Sequence, residues 1–191
     1  MDPESITIVS GLPRSGTSMM MKMLAAGGRP VLIDTIRTAD ADNPKGYYEF
    51  ERVKQIEHDT AWLEDAKGKV VKMIAALLKH LPGEYEYKVV FMRRDIEEVL
   101  ASQRQMLIRR GEPTNTIGDE KMAELFGKHL ERIEDWIDAQ PNVRCCYVEY
   151  RSALEQPQDE AERVNHFLGD GLNVEAMTAV VDPDLYRQRK N

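Results

Sequence analysis

Cysteine is nearly absent from this chain: the only two are the neighbours Cys145 and Cys146. Adjacent residues on a strand point to opposite faces, which excludes a disulfide between them. A disulfide-stapled secreted scaffold is therefore excluded, and a reducing compartment fits. No apolar run approaches the ~20 residues of a membrane-spanning helix. The start carries Asp2 and Glu4 and enters an apolar segment at once, without the basic and long apolar stretches of a secretory signal. The chain reads as cytoplasmic. Excess positive charge is missing too: 26 Lys and Arg stand against 33 Asp and Glu, a net charge of −7. This opposes general nucleic-acid binding, so any anionic ligand needs a local basic patch. There is no internal repeat and no low-complexity segment.

What is present is ordinary for a globular protein: 191 residues, 42% hydrophobic and 31% charged. That length suits one domain, residues 1–191, with a full core. Apolar strands are expected at Ile6–Val9, Val31–Ile33, Val70–Ile74, Tyr87–Met92 and Val143–Val148. Between them, helical patterns run over Met19–Ala26, Glu49–Glu64, Leu77–Leu81, Asp95–Arg110 and Lys121–Gln140, with further helices near Gln158–Leu168 and Val174–Val180. The methionines from Met19 to Met23, with Trp62 and Trp136, read as core. Alternating strands and helices imply an α/β fold with a central parallel sheet flanked by helices in three layers. In such sheets ligands bind beyond the carboxyl ends of the strands.

Three marked segments fall at that edge. The first is Gly11-Leu12-Pro13-Arg14-Ser15-Gly16-Thr17-Ser18, between the first strand and a helix. Its spacing outlines a phosphate cradle, in which backbone N–H groups and a helix N-terminus favour an anion. A nucleoside triphosphatase places Lys where this chain has Thr17, and the nearest cation is Arg14. That substitution counts against ATP or GTP hydrolysis. Arg14 can donate paired hydrogen bonds to phosphate or sulfate oxygens. The bland reading is a Gly-containing turn. Asp34 could be read as a strand-end metal ligand, but no obligatory metal site is evident.

The second segment is Arg93-Arg94 with Ser102, eight residues beyond Arg94. Cations are disfavoured at a helix N-terminus, so two arginines there point to an anion, a second phosphate some distance from the first. The alternative is a solvated helix start. The third is Lys72 within Val70-Val71-Lys72-Met73-Ile74. Either it finds a partner at the strand end, or it snorkels into water.

Taken together, Pro13 to Ser18 and the later Arg94 and Ser102 resemble the PAPS-dependent sulfotransferases, PAPS being 3′-phosphoadenosine 5′-phosphosulfate. The fold implied is the P-loop-like α/β fold. The resemblance implies that Pro13, Arg14, Ser15, Gly16, Thr17 and Ser18 hold the 5′-phosphosulfate and that Arg94 and Ser102 hold the 3′-phosphate. Val71-Lys72, followed by Leu81-Pro82, resembles the Lys-bearing strand of the cytosolic enzymes and implies that Lys72 stabilises the leaving phosphate, with Arg14. Asn43 to Glu49 resembles a segment of bacterial and tyrosylprotein-type members, and makes Glu49 the first candidate for the base. A Glu at a helix start also simply matches the dipole. The ending Asp182 to Arg189 resembles small bacterial members. There Arg187 and Arg189 would close over the 3′-phosphate, unless the basic tail is disordered.

Departures are visible. Ile74 occupies the place of the catalytic His of cytosolic members, their K-G-x-x-G-D-W segment is missing, and the chain is short for the family. The expected function is transfer of a sulfuryl group from PAPS to an acceptor hydroxyl or amine by in-line displacement, leaving PAP (3′-phosphoadenosine 5′-phosphate). No metal is expected, because the donor is already activated. The acceptor would be a small molecule, a glycan or a peptide. A non-catalytic PAP- or PAPS-binding module is the alternative, and a P-loop small-molecule kinase stands behind it.

Overall fold

Each expected apolar strand but one forms a ladder, and the ladders are all parallel. β1 (Ile6–Gly11), β2 (Val70–Lys72), β3 (Tyr87–Arg93) and β4 (Val143–Glu149) form a sheet in the order β2-β1-β3-β4. The register sets Val9 beside Lys72, Gly11 beside Met92 and Arg93 beside Glu149. The computed structural model describes residues 3–34, 36, 46–114 and 117–185.

Alternation along the strands builds two cores. Ile6, Ile8, Val71, Val89 and Phe91 face one side, and Val9, Val70, Val90, Met92 and Val148 the other. The first face is covered by α2 (Leu63–Ala66), a 3-10 helix over Ala75–His80, and α4 (Asp119–Ala139). The second is covered by α1 (Thr17–Ala26), α5 (Tyr150–Glu155), α6 (Pro157–Leu168) and α7 (Val174–Ala179). Burial on both faces is why the strands read as continuous apolar runs. Cys145 and Cys146 fall on opposite faces, and both are free thiols. The order places β2 on one side of β1 and β3 on the other, so the connections reverse direction at β1. The crevice at that reversal lies at the carboxyl end of β1, where the cradle segment begins.

Two local expectations are corrected, and one helix is added. Glu49–Glu64 is not one helix: a 3-10 helix spans Glu51–Gln55, and a turn leads to α2. Phe50, Val53 and Ile56 recur every third residue, the period of a 3-10 helix, and Val53 and Ile56 are buried. The Asp59 carboxylate then accepts from the Ala61 N–H and holds the turn. Val31–Ile33 makes a single bridge, Val31 to Val70, because the Asp34 N–H turns away to the Glu49 carbonyl. The sequence reading also missed α5, which fills the gap between β4 and α6.

Candidate functional site

The loop after β1 is shaped by backbone that few side chains tolerate. Gly11 sits at φ 145°, where an added Cβ would lie 2.5 Å from both the Met92 carbonyl oxygen and Ser15 Oγ. Gly16 sits at φ 98°, and a Cβ there would meet the Tyr150 ring at 2.3 Å. Arg14 itself is left-handed at φ 72°, a strained position of the kind that gathers at functional sites. Pro13 lies exposed at the outer bend. α1 then opens with no side-chain cap and no acidic residue in its first turn. Its first N–H groups and the positive end of its dipole face the loop. The Ser15 hydroxyl is 1% exposed and has no hydrogen-bond partner among the described residues. A glycine-lined bend, an uncapped helix start and an orphaned buried hydroxyl fit an oxyanion such as phosphate or sulfate.

Lys72, at the end of β2, reaches the same helix start. Its Nζ donates to Ser18 Oγ at 3.2 Å and to the Tyr47 carbonyl at 2.8 Å, and stands 3.6 Å from Glu49 Oε1. Of the two sequence alternatives for Lys72, the partnered one holds. Tyr48 at φ 52° follows Tyr47, whose main-chain carbonyl also accepts from Ser18 Oγ at 3.4 Å.

The second arginine segment divides. Arg93 turns away to Glu134 on α4, at 2.8 Å, and stacks 3.9 Å from the Tyr147 ring centroid. Arg94 turns toward the loop. Asp95 caps α3 (Ile96–Arg110) by accepting from the Glu97 and Glu98 N–H groups, so Arg94, Glu98 and Ser102 follow at four-residue spacing on one face. Arg94 Nε donates to Glu98 Oε2 at 3.0 Å, in a pair only 7% exposed on each side. Arg94 Nη1 donates to the Arg14 carbonyl at 3.1 Å, and Arg14 Nε donates to Ser102 Oγ at 3.0 Å. The two arginine segments, expected at one edge of the sheet, are thus bonded to each other. Tyr150 lies beneath, its ring 4.5 Å from the Arg94 guanidinium carbon. Burial pushes the Tyr150 phenol above its ordinary range, against the opposing pull of Arg94, and keeps it protonated.

Two residues here escaped the sequence reading. Glu98 carried a usable signal, its spacing of four from Arg94. Tyr150 carried none, because its place depends on how β4 delivers α5 against Gly16. Asp34 is committed elsewhere: its carboxylate accepts from the Ile36 and Glu51 N–H groups at 3.0 and 2.6 Å. His58 lies on an exposed turn and His80 ends the 3-10 helix over Ala75–His80, and neither enters these contacts; Arg187 and Arg189 fall outside the described residues. Among the described residues, no helix is long and apolar enough to cross a membrane.

A parallel α/β sheet with a glycine-shaped loop at its switch point, ringed by lysine and arginine, places the chain in the P-loop-like class of α/β folds. The comparisons narrow this. The sulfotransferase-domain family model matches residues 4–190, so the chain belongs to the sulfotransferase family. It is a sulfotransferase by family and by fold. Among solved structures it is similar to the sulfotransferase domain of the Synechococcus olefin synthase, at TM-score 0.63 and 14% identity, covering 100% of this chain and 90% of that one. A Mycobacterium tuberculosis sulfotransferase matches at TM-score 0.63 and 18% identity, over 93% of this chain and 70% of that one. A mouse sulfotransferase solved with PAP matches at TM-score 0.51 and 14% identity, over 95% and 63%. No curated protein matches the chain.

Proposed function

We propose that this chain, as one domain over residues 1–191, moves a sulfuryl group from PAPS to an acceptor hydroxyl or amine, and does so in the cytoplasm. PAPS would supply a sulfuryl group already activated by its phosphate partner. The reading is carried by one observation: the cradle helix start is touched by Lys72 on one side while Arg14 and Arg94 join it to Ser102 on the other. Such an arrangement suits a nucleotide with two separated anionic groups.

In this reading the N–H groups from Ser15 to Ser18, with the Ser15, Thr17 and Ser18 hydroxyls, hold the 5′ end behind Pro13 and Gly16. Ser102 exchanges its bond to Arg14 for a 3′-phosphate oxygen, and Arg94 faces the same group. Arg187 and Arg189 remain candidates for the same end. Lys72 and Arg14 neutralise charge that spreads onto departing oxygens. Glu49, beside Lys72, accepts the proton of the attacking hydroxyl.

Calorimetry tests the nucleotide. PAP is expected to bind without metal and far more tightly than magnesium-ATP, and Arg14→Ala is expected to weaken it. Magnesium-dependent ATP binding with no PAP binding sinks the reading in favour of a kinase. Transfer of labelled sulfate from PAPS tests the chemistry. Glu49→Gln should keep PAP affinity while slowing transfer about 10²- to 10⁴-fold. PAP binding with no transfer to any acceptor class identifies a non-catalytic module.

A further inference from the structure

We propose that Tyr48 is a positioning residue for the transfer: its left-handed backbone turns two successive acceptors, the Tyr47 carbonyl and the Glu49 carboxylate, onto the Lys72 ammonium group, and so fixes where the base stands. This rests on the sulfotransfer reading of the same site and deepens it. Tyr48 sits at φ 52°. A bulky aromatic residue rarely takes that conformation, and keeps it only where its surroundings over-determine it. Among the described residues, the other non-glycine residues at positive φ are Arg14 and Asp170. Aspartate visits this region readily. Arg14 and Tyr48 are the two that need a reason, and both lie at the cradle.

The surroundings of Tyr48 supply the constraint. Its side chain packs, half-buried, on the core of the α1 face, whereas Phe50 packs on the opposite core, its ring centroid 5.7 Å from that of Trp62. The segment crosses from one face of the sheet to the other between these two residues, and Glu49 sits at the crossing. Both sides of the bend are tied down. Tyr47 is 5% exposed, with its ring centroid 5.9 Å from Lys72 Nζ. The Glu49 carbonyl accepts from the Asp34 N–H at 3.0 Å, and the Glu51 N–H donates to the Asp34 carboxylate at 2.6 Å. With those neighbours held, the bend falls on residue 48. It leaves Lys72 Nζ 2.8 Å from the Tyr47 carbonyl and 3.6 Å from Glu49 Oε1. An extended residue at 48 would carry Glu49 onward by ~3.3 Å per residue, away from the atom that the Tyr47 carbonyl holds. The separation matters to the chemistry. Glu49 takes the proton of the attacking hydroxyl and Lys72 meets the departing oxygens, and an in-line displacement needs those two groups at a fixed spacing.

The test reads the reactivity of Lys72 in the full chain, by isotope-coded acetylation and peptide mass spectrometry, with PAP binding measured by calorimetry. Lys88, near the start of β3, donates to the Leu168 carbonyl at 3.1 Å and serves as the internal reference. Tyr48→Gly and Tyr48→Val both remove the ring, but glycine takes φ 52° freely and valine resists it. Tyr48→Val is expected to speed acetylation of Lys72 relative to Lys88 about five- to tenfold, the scale of the cost of a left-handed residue. Tyr48→Gly and Tyr48→Phe should stay within about twofold of wild type. Tyr48→Ala should fall between glycine and valine, and carries the test if the valine variant does not fold. Saturating PAP should slow acetylation of Lys72 in wild type, as a lysine at the departing oxygens requires. An unchanged Lys72 rate in both Tyr48→Val and Tyr48→Ala overturns the inference. So does an equal rise at Lys88, which marks general loosening, or an equal rise in Tyr48→Gly, which assigns the hold to the ring. Bound PAP that gives Lys72 no protection removes the link to transfer and overturns it too. Wild-type protein that fails to bind PAP overturns the sulfotransfer reading, and the positioning role with it.

Discussion

The two ends of the cradle are held in different ways. At one end, Arg94 and Glu98 form a pair at 3.0 Å that is 7% exposed on each side, with the Arg14 carbonyl and the Tyr150 ring fixing the remaining faces of the guanidinium. At the other, Lys72 and Glu49 stand 3.6 Å apart, 12% and 20% exposed, and the lysine shares its protons with a hydroxyl and a backbone carbonyl. The first end is preorganised, and its charges are costly to separate because water does not reach them. The second is adaptable, because a ligand oxygen can replace the Tyr47 carbonyl or the Ser18 hydroxyl. In the proposed reaction the rigid end lies remote from the reacting atoms and the adaptable end beside them. Binding energy gathered at the first can then hold the second in its reactive geometry.

Removing the cation at each end tests that contrast most strongly. Arg94→Ala removes the arginine that pairs with the buried Glu98 carboxylate at 3.0 Å, and urea unfolding should show a loss of about 3–5 kcal/mol together with loss of PAP binding. Lys72→Ala should cost less stability than Arg94→Ala, since the Glu49 side chain keeps 20% of its surface exposed against 7% for Glu98, yet slow transfer about 10²-fold. Equal stability losses in the two variants would break the comparison.

Gly16→Ala sharpens it from the backbone side. A Cβ at φ 98° meets the Tyr150 ring, so a loss of about 1–3 kcal/mol is expected, with weaker PAP binding from the displaced ring under Arg94. The smallest effect concerns the thiols in the middle of β4, the strand that leads to Tyr150 under Arg94. Burial pushes the Cys145 thiol up to about 12 and also raises Cys146, so at pH 8 both stay protonated. Iodoacetamide should label them in urea and scarcely at all in the native protein. In Arg94→Ala native labelling should rise, and in Lys72→Ala it should not.

Much of the fold was legible in the sequence because strands buried on both faces leave unbroken apolar runs, as at Ile6–Val9 and Tyr87–Met92. The loop glycines were legible for a related reason, since Gly11 and Gly16 hold backbone that other residues resist. The segment after Glu49 was misread because a period of three, set by Phe50, Val53 and Ile56, lies close to the helical period of 3.6. The division between Arg93 and Arg94 was not legible. Neighbouring residues on a strand differ in direction, and only the positions of Glu134 and Glu98 decide which of the two faces the cradle.

By itself, the sequence determined the parallel α/β plan, the cradle and the lack of a Walker lysine, because these follow from local periodicity and from residue types at short spacing. Tertiary structure alone decided that Arg14 bonds to Ser102 across 88 residues, that Lys72 meets Ser18 across 54, and that Tyr150 lies under Arg94. Those contacts join segments whose separation along the chain carries no periodic signal. They exist because the sheet order brings the ends of β1, β2, β3 and β4 to one edge.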